Sequence, residues 1–347
     1  MAETGSPVRA LGNCWIVSFL MLPASFAILL TGALMFTNAI EWFGSLVGLG
    51  QGAVGSLLAA VATALPESLI PIVAIIGGAQ GSEGVAVGAI IGAPLLLATI
   101  AMALVGASAL IYRGRRPQGL SLEVHFPTLE RDLAFFAGCF LVAVLLGIGA
   151  PGWLRIAFAI ALLVAYVVYA TWTMRHSGPV EAAEKLTPLF LDATRKDPPA
   201  MSAVVVQLVI ALTAIVAGAH IFVEQVLHLA DSAGLEPLVL SLVLAPFATE
   251  LPEKANSFFW MRAGKDALAL GNITGAMVFQ STIPVAIGLA FTDWNLDGYS
   301  LLAGGLALAG GVVAIVTLQI RRRFSGYAIV LWAAFYAAFV GYVLARS

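Results

Sequence analysis

Ten apolar stretches, each long enough to cross a lipid bilayer, dominate this sequence and leave little room for a soluble architecture. They run near residues 13–36, 53–77, 84–111, 133–149, 152–174, 201–229, 237–262, 266–292, 299–319 and 325–345, and a helix needs about 20 apolar residues to span the hydrocarbon core. Hydrophobic residues make up 61% of the chain and charged residues 10%, with a mean hydropathy of +0.98. An all-α integral membrane protein is expected. The net charge of −2 offers no basic excess for nucleic acid. Cys14 and Cys139 both lie inside apolar runs and imply neither a disulfide framework nor a Cys-based metal site. The first run is longer than a signal-peptide core and leads into further spans, so it reads as a retained helix despite Arg9 ahead of it.

Between the fifth and sixth stretches lies the one clear linker, RHSGPVEAAEKLTPLFLDATRKDPP (175–199), which mixes both charge signs with four prolines. It separates 1–174 from 200–347, each with five spans. Lys and Arg accumulate on the cytoplasmic side of membrane proteins. In the ten-span arrangement Arg113, Arg115, Arg116, Arg131, Arg175, Lys185, Arg195, Lys196, Arg262, Lys265 and Arg321 to Arg323 share one face. Arg9, Arg155 and Arg346 fall on the other, whose loops carry Glu83, Asp231, Glu236, Asp293 and Asp297. The linker is therefore expected in the cytoplasm and both termini outside, in an inner or plasma membrane.

The two halves are repeats of one another. GALMFTNAIEWFGSLVGLGQGAVGSLLAAVATALPE (Gly32–Glu67) aligns without a gap on GAHIFVEQVLHLADSAGLEPLVLSLVLAPFATELPE (Gly218–Glu253), because 218 − 32 and 253 − 67 both equal 186. After a three-residue length difference, GAIIGAPLLLATI (Gly88–Ile100) resumes the match with GNITGAMVFQSTI (Gly271–Ile283), at an offset of 271 − 88 = 183. Five is an odd number of spans, so the second copy is inverted relative to the first. Inverted repeats place a substrate site near the midplane where the copies meet.

The repeated motif has the chemistry of such a site. Thr63 and Glu67 are four residues apart, as are Thr249 and Glu253, so each hydroxyl shares a helical face with its carboxylate. Pro66 and Pro252 lack an N–H, which leaves the carbonyls of Ala62 and Ala248 without helical partners; inside a bilayer such groups need protein, water or an ion. Carboxylate, hydroxyl and carbonyl oxygens from two antiparallel helices suit a hard cation such as calcium or sodium, with Glu67 and Glu253 as the metal-binding carboxylates. A purely structural role is the competing reading, but an intramembrane acid costs at least about 2.5 kcal/mol, and here it occurs in both repeats.

This pairing of ATALPE with ATELPE, each followed by a Gly-x-x-x-Gly helix, resembles the two alpha repeats of the sodium/calcium exchanger family within the cation/calcium antiporter superfamily. The resemblance implies about ten transmembrane helices as two inverted five-helix repeats and alternating access. It also implies a central cation site with Thr63, Glu67, Thr249 and Glu253 as ligands. The long first helices of the two halves, near 13–36 and 201–229, would slide across the core to switch access. Calcium, sodium or protons are the transported ligands, and no cofactor is implied. The expected function is exchange of a cation, calcium or another, for sodium or protons.

The sequence also departs from that family's pattern. Ala64 and Glu250 stand where the family keeps Ser after the Thr, and Pro94 and Met277 stand where it keeps a second pair of oxygen ligands. Glu250 then joins the candidate site, with Asn272 and Gln280 as supporting amides. Lys254 has two readings: it snorkels toward the helix end at Arg262, about 12 Å away, or it neutralises Glu250 one turn before it, the favoured i, i+4 orientation. Carboxylates clustered at low dielectric share a proton when no cation is bound, so proton coupling suits the site as well as sodium coupling.

Other signals are weaker. Gly88, Gly92, Gly271 and Gly275 read as helix-packing glycines. His125, His176, His220 and His228 make no i, i+3 or i, i+4 pair for zinc. Trp42, Trp153, Trp172, Trp260 and Trp294 read as interfacial anchors. An intramembrane hydrolase lacks its Asp pair, Ser-His arrangement or H-E-x-x-H. A relative that has lost exchange and serves as an ion-binding or scaffold protein is the remaining alternative, motivated by Pro94 and Met277.

Overall fold

The computed structural model describes residues 7–47, 64–115, 119, 122, 124, 126–176, 186–192, 197–321 and 328–346, with the side chains of 7–19, 176, 251–253, 255, 256, 318, 320, 321 and 328 outside the description. The described residues form ten helical segments: α1 (Pro7–Leu46), α2 (Leu65–Gly77), α3 (Ser82–Ile111), α4 (Phe126–Leu146), α5 (Gly152–His176), α6 (Met201–Ala233), α7 (Pro237–Arg262), α8 (Asp266–Phe291), α9 (Gly298–Arg321) and α10 (Ala328–Arg346). Seven of these are long and apolar enough to cross a membrane. They correspond to the ten apolar stretches in order, although the first half of the second stretch lies outside the described residues. The bundle carries apolar side chains outward. Ile156, Ile160, Val164 and Val168 of α5 and Val206 and Val209 of α6 are all exposed, a surface suited to lipid rather than water.

Glycines spaced by four set the deepest contact. α3 is almost wholly buried, and its Gly84, Gly88 and Gly92 form one stripe against α7. A methyl group on Gly88 would press on Leu238 O and Ser241, and one on Gly92 on the Leu242 carbonyl and Pro246. That carbonyl is left without its helical donor because Pro246 has no N–H, so the missing side chain of Gly92 lets the α3 backbone approach it. Ser241 Oγ also donates to Val85 O at 2.7 Å. Gly92→Leu is expected to overpack this crossing and destabilise the fold by about 1–3 kcal/mol, read as a lower unfolding temperature of the detergent-solubilised protein. Gly271→Ala is the contrast, since no described atom outside its own stretch of helix lies within 4 Å of a methyl there.

A second crossing joins the long helices α1 and α6, and here the repeat symmetry is visible. Gly32 of α1 lies against Ala211 and Ile215 of α6, while its counterpart Gly218 lies against Ile28 and Leu29 of α1. The linker is tied across the ends of the same pair. Asn38 of α1 donates to Thr187 Oγ1 at 2.9 Å, and Trp42 Nε1 donates to Thr187 O at 2.8 Å. Gln207 of α6 donates to Asn38 Oδ1 and accepts from Leu191 N. Leu189 is buried among Ala39, Trp42 and Val204. Asn38→Ala removes donor and acceptor together, each bond contributing about 1 kcal/mol, and is expected to expose residues 186–192 to limited proteolysis at protease concentrations that leave the parent intact.

Two readings from sequence are corrected. Trp42 and Trp294 are not interfacial anchors: both are buried, and Trp294 Nε1 donates to Ala143 O at 2.9 Å inside the core. α4 begins at Phe126, several residues before the apolar stretch, because its polar first turns pack inward as described below.

Candidate functional site

Both repeats interrupt their third helix at the same place. In α3 a π-helical turn spans Leu97–Ala101, and in α8 the helix stops at Gln280 and restarts at Ile283; the offset of 183 maps one interval onto the other. Thr99 Oγ1 donates to Leu95 O, and its counterpart Thr282 Oγ1 donates to Val278 O. Such interruptions in helices are frequent at functional sites, and in transporters they mark the substrate region. The apolar pattern runs on through the first, whereas the second falls on the polar run Gln280, Ser281 and Thr282.

The helices that carry the acidic motifs pack against these interrupted helices, and Glu250 reaches Gln280 at the break in α8. Glu67 sits in the first turn of the described part of α2, at 7% exposure, and Glu250 sits in α7 at 1%. α2 and α7 touch one another, and both touch α3. Thr249 Oγ1 donates its proton to Ala245 O at 3.2 Å, which leaves the oxygen's lone pairs for a cation. Ala248 is buried, and Pro252 in α7 has no N–H for the Ala248 carbonyl. Glu253 is part of α7, but its side chain is outside the description, as are Ala62 and Thr63 altogether.

Glu250 is engaged on both oxygens. Gln280 Nε2 donates to Oε1 at 2.6 Å, and Lys254 Nζ lies 3.4 Å from Oε2. Lys254 is 0% exposed, so it does not snorkel to an interface but pairs within the bundle. Asn272 is half-buried on α8. Pro94 and Met277, at the positions of the resemblance's second ligand pair, are both buried in apolar surroundings. His220 is exposed and lies 3.3 Å from Glu224. Among the described residues no group of three or more His, Cys, Asp or Glu is placed to hold a metal ion.

Two buried acids escaped the sequence reading, Asp266 at the start of α8 and Asp132. Asp132 of α4 is 3% exposed and accepts from three donors: Arg131 Nη2 at 2.8 Å, the Tyr169 hydroxyl of α5, and Thr274 Oγ1 of α8 at 2.9 Å. The Arg131 guanidinium lies over the Tyr169 and Trp172 rings. Thr274 stands between Gly271 and Gly275, so this cluster holds the second repeat's motif helix in place from two neighbours.

Compared with known families, the chain matches the sodium/calcium exchanger protein family over residues 17–175 and 203–345. The chain belongs to the sodium/calcium exchanger family. The interval between the matched segments falls on the linker. Among curated relatives, it is 24% identical to an uncharacterized membrane protein, MJ0091, of Methanocaldococcus jannaschii over 69% of this chain and 70% of that one. It is 25% identical to a putative antiporter, CaxA, of Alkalimonas amylolytica over 83% and 86%. Among solved structures, the H+/Ca2+ exchanger CAX superposes with a TM-score of 0.70 at 20% identity, covering 97% of this chain and 86% of that one. The sodium-calcium exchanger NCX_Mj superposes at 0.58 and 18%, covering 94% and 98%. This exchanger-family chain therefore has the all-α fold of ten transmembrane helices in two inverted five-helix repeats. It is an integral membrane protein and a cation antiporter by family.

Proposed function

We propose that this chain exchanges a cation, calcium in the first instance, for sodium or protons by alternating access at a midplane site shared by the two repeats. The observation that carries the reading is the burial of acidic motif residues in α2 and α7, touching helices of opposite repeats that pack on α3 and α8, which are interrupted at equivalent places. Acidic side chains inside a membrane bundle mark ion or proton pathways by default, and the oxygen chemistry of the two motifs suits a hard cation. Glu67 and Glu253 are the proposed working carboxylates, supported by oxygens of Thr63 and Thr249 and by the carbonyls of Ala62 and Ala248. Glu250 lies at the edge of this set, held by Lys254 and Gln280. With Pro94 and Met277 supplying no side-chain oxygen, water completes the six to eight oxygens calcium requires.

Access switches as α1 and α6 slide together over the other helices, on the close crossing that Gly32 and Gly218 allow. The cytoplasmic linker, in this reading, binds their inner ends into one body, with both termini outside. The relatives named for calcium or for antiport support the choice of substrate.

The test is uptake into proteoliposomes of calcium, manganese, sodium or potassium under imposed sodium or proton gradients. Gradient-driven uptake of one of these supports the proposal. No flux from folded protein under any gradient contradicts it and favours a relative that binds ions without exchanging them. Because protons compete with a cation for carboxylates, uptake by a fixed inward cation gradient, without a pH difference, is expected to be slower at about pH 6 than at pH 8; identical initial rates would remove protons from the scheme.

A further inference from the structure

The second repeat carries Glu, Lys and Gln at three positions where the first has Ala, Ser and Leu, and the fold brings all three together. Glu250 corresponds to Ala64 and Lys254 to Ser68 at the offset of 186, and Gln280 corresponds to Leu97 at the offset of 183. The substitutions fall on two helices, yet they meet in one contact: Gln280 on one oxygen of Glu250, Lys254 on the other. Neither the ammonium nor the carboxylate reaches the surface.

The equivalent place in the first repeat does without an ion pair. There, Ser68 Oγ donates to Ala64 O at 3.1 Å within its own helix, so a small, neutral pair fills the position. Buried ion pairs are in general replaceable by neutral groups at little or no cost. The distinctive property of Lys254 is that it is a positive charge that cannot leave. Without it the motif would present three carboxylates, Glu67, Glu250 and Glu253. With it the sum is two negative charges, which one divalent ion or two monovalent ions neutralise.

We propose that Lys254 is a tethered cation that fixes the transport site at two negative charges and so sets the exchange ratio at two monovalent ions per divalent ion. This rests on the cation-exchange reading above. Gln280 positions Glu250 for the tether by occupying its other oxygen. The exchange cycle then moves no net charge, and the membrane potential neither drives nor retards it.

The experiment measures divalent uptake in proteoliposomes with the membrane potential clamped by potassium and valinomycin, and reads the ion ratio from the gradient at which net flux vanishes. Three proteins are compared: the parent chain, Lys254→Met, and the double variant Glu250→Ala with Lys254→Ser, which rebuilds the first repeat's pair. The parent is expected to reverse at a ratio of two, independent of potential. Lys254→Met is expected to reverse at three and to become sensitive to potential. The double variant is expected to return to two, at whatever rate it runs. A Lys254→Met protein that keeps the parent's ratio overturns the proposal, as does a parent ratio other than two. If Lys254→Met does not fold, the double variant decides, because it buries no unpaired charge: a ratio other than two there is equally fatal. A parent that exchanges nothing under any gradient defeats the cation-exchange reading itself, and is recognised before any variant is compared.

Discussion

Glu67→Gln and Glu253→Gln are each expected to lower cation exchange by about 100-fold or more, with the protein still folded. The magnitude follows from removing one charged partner of a desolvated ion contact, which costs about 2–5 kcal/mol, with about 1.4 kcal/mol for each factor of ten. Gln preserves size and one carbonyl oxygen, so the loss reports charge rather than packing. Because the proposed site is shared between repeats, the two single variants are expected to be equally impaired and the double variant scarcely worse. Initial uptake rates in proteoliposomes check this, with Glu224→Gln, exposed on α6, as the control that keeps the parent's rate. Additive losses from the two variants would point to two independent sites.

Asp132→Ala is expected to have the largest effect on stability. It leaves Arg131, Tyr169 and Thr274 without their common acceptor. Removing one member of a buried ion pair costs about 3–5 kcal/mol, and the Arg131 side chain retains 25% exposure, which places the loss near the lower end, about 3 kcal/mol. Thr274→Val removes a single hydrogen bond and is expected to cost about 1 kcal/mol or less. Equilibrium unfolding in mixed micelles would separate the two. Since Asp132 holds α8 from outside the proposed site, the surviving folded fraction of Asp132→Ala is expected to keep its ion preference while losing yield.

The contrast between these predictions marks what a linear sequence conveys. The spans, the inverted repeat and the two acidic motifs are legible because hydropathy and motif spacing are properties of consecutive residues. Asp132 is not, because its meaning depends on Tyr169 and Thr274, which reach it from two other helices. Read locally, Arg131 and Asp132 resemble a polar loop. The pairing of Gln280 with Glu250 is hidden for the same reason, and so is the docking of Leu189 between α1 and α6. Trp294 is misplaced by proximity to a span end: the chain turns back there, with a left-handed backbone at φ 42°, and carries the indole into the core. The interruption in α3 leaves no trace in hydropathy and that in α8 only the polar run Gln280, Ser281 and Thr282, although Pro94, three residues before the π turn, and Pro284, just after the break, are local signals that could have found them.

The most direct test of antiport is dependence on the opposite side. Proteoliposomes loaded with labelled calcium are diluted into medium that contains either no exchangeable cation or one of sodium, protons at low pH, or unlabelled calcium. Efflux only when an exchangeable cation is present outside is the predicted result, since in the proposed scheme access to the buried carboxylates switches only when their charge is neutralised. Efflux that proceeds equally into cation-free medium would contradict the account and describe a leak or a channel in place of an exchanger.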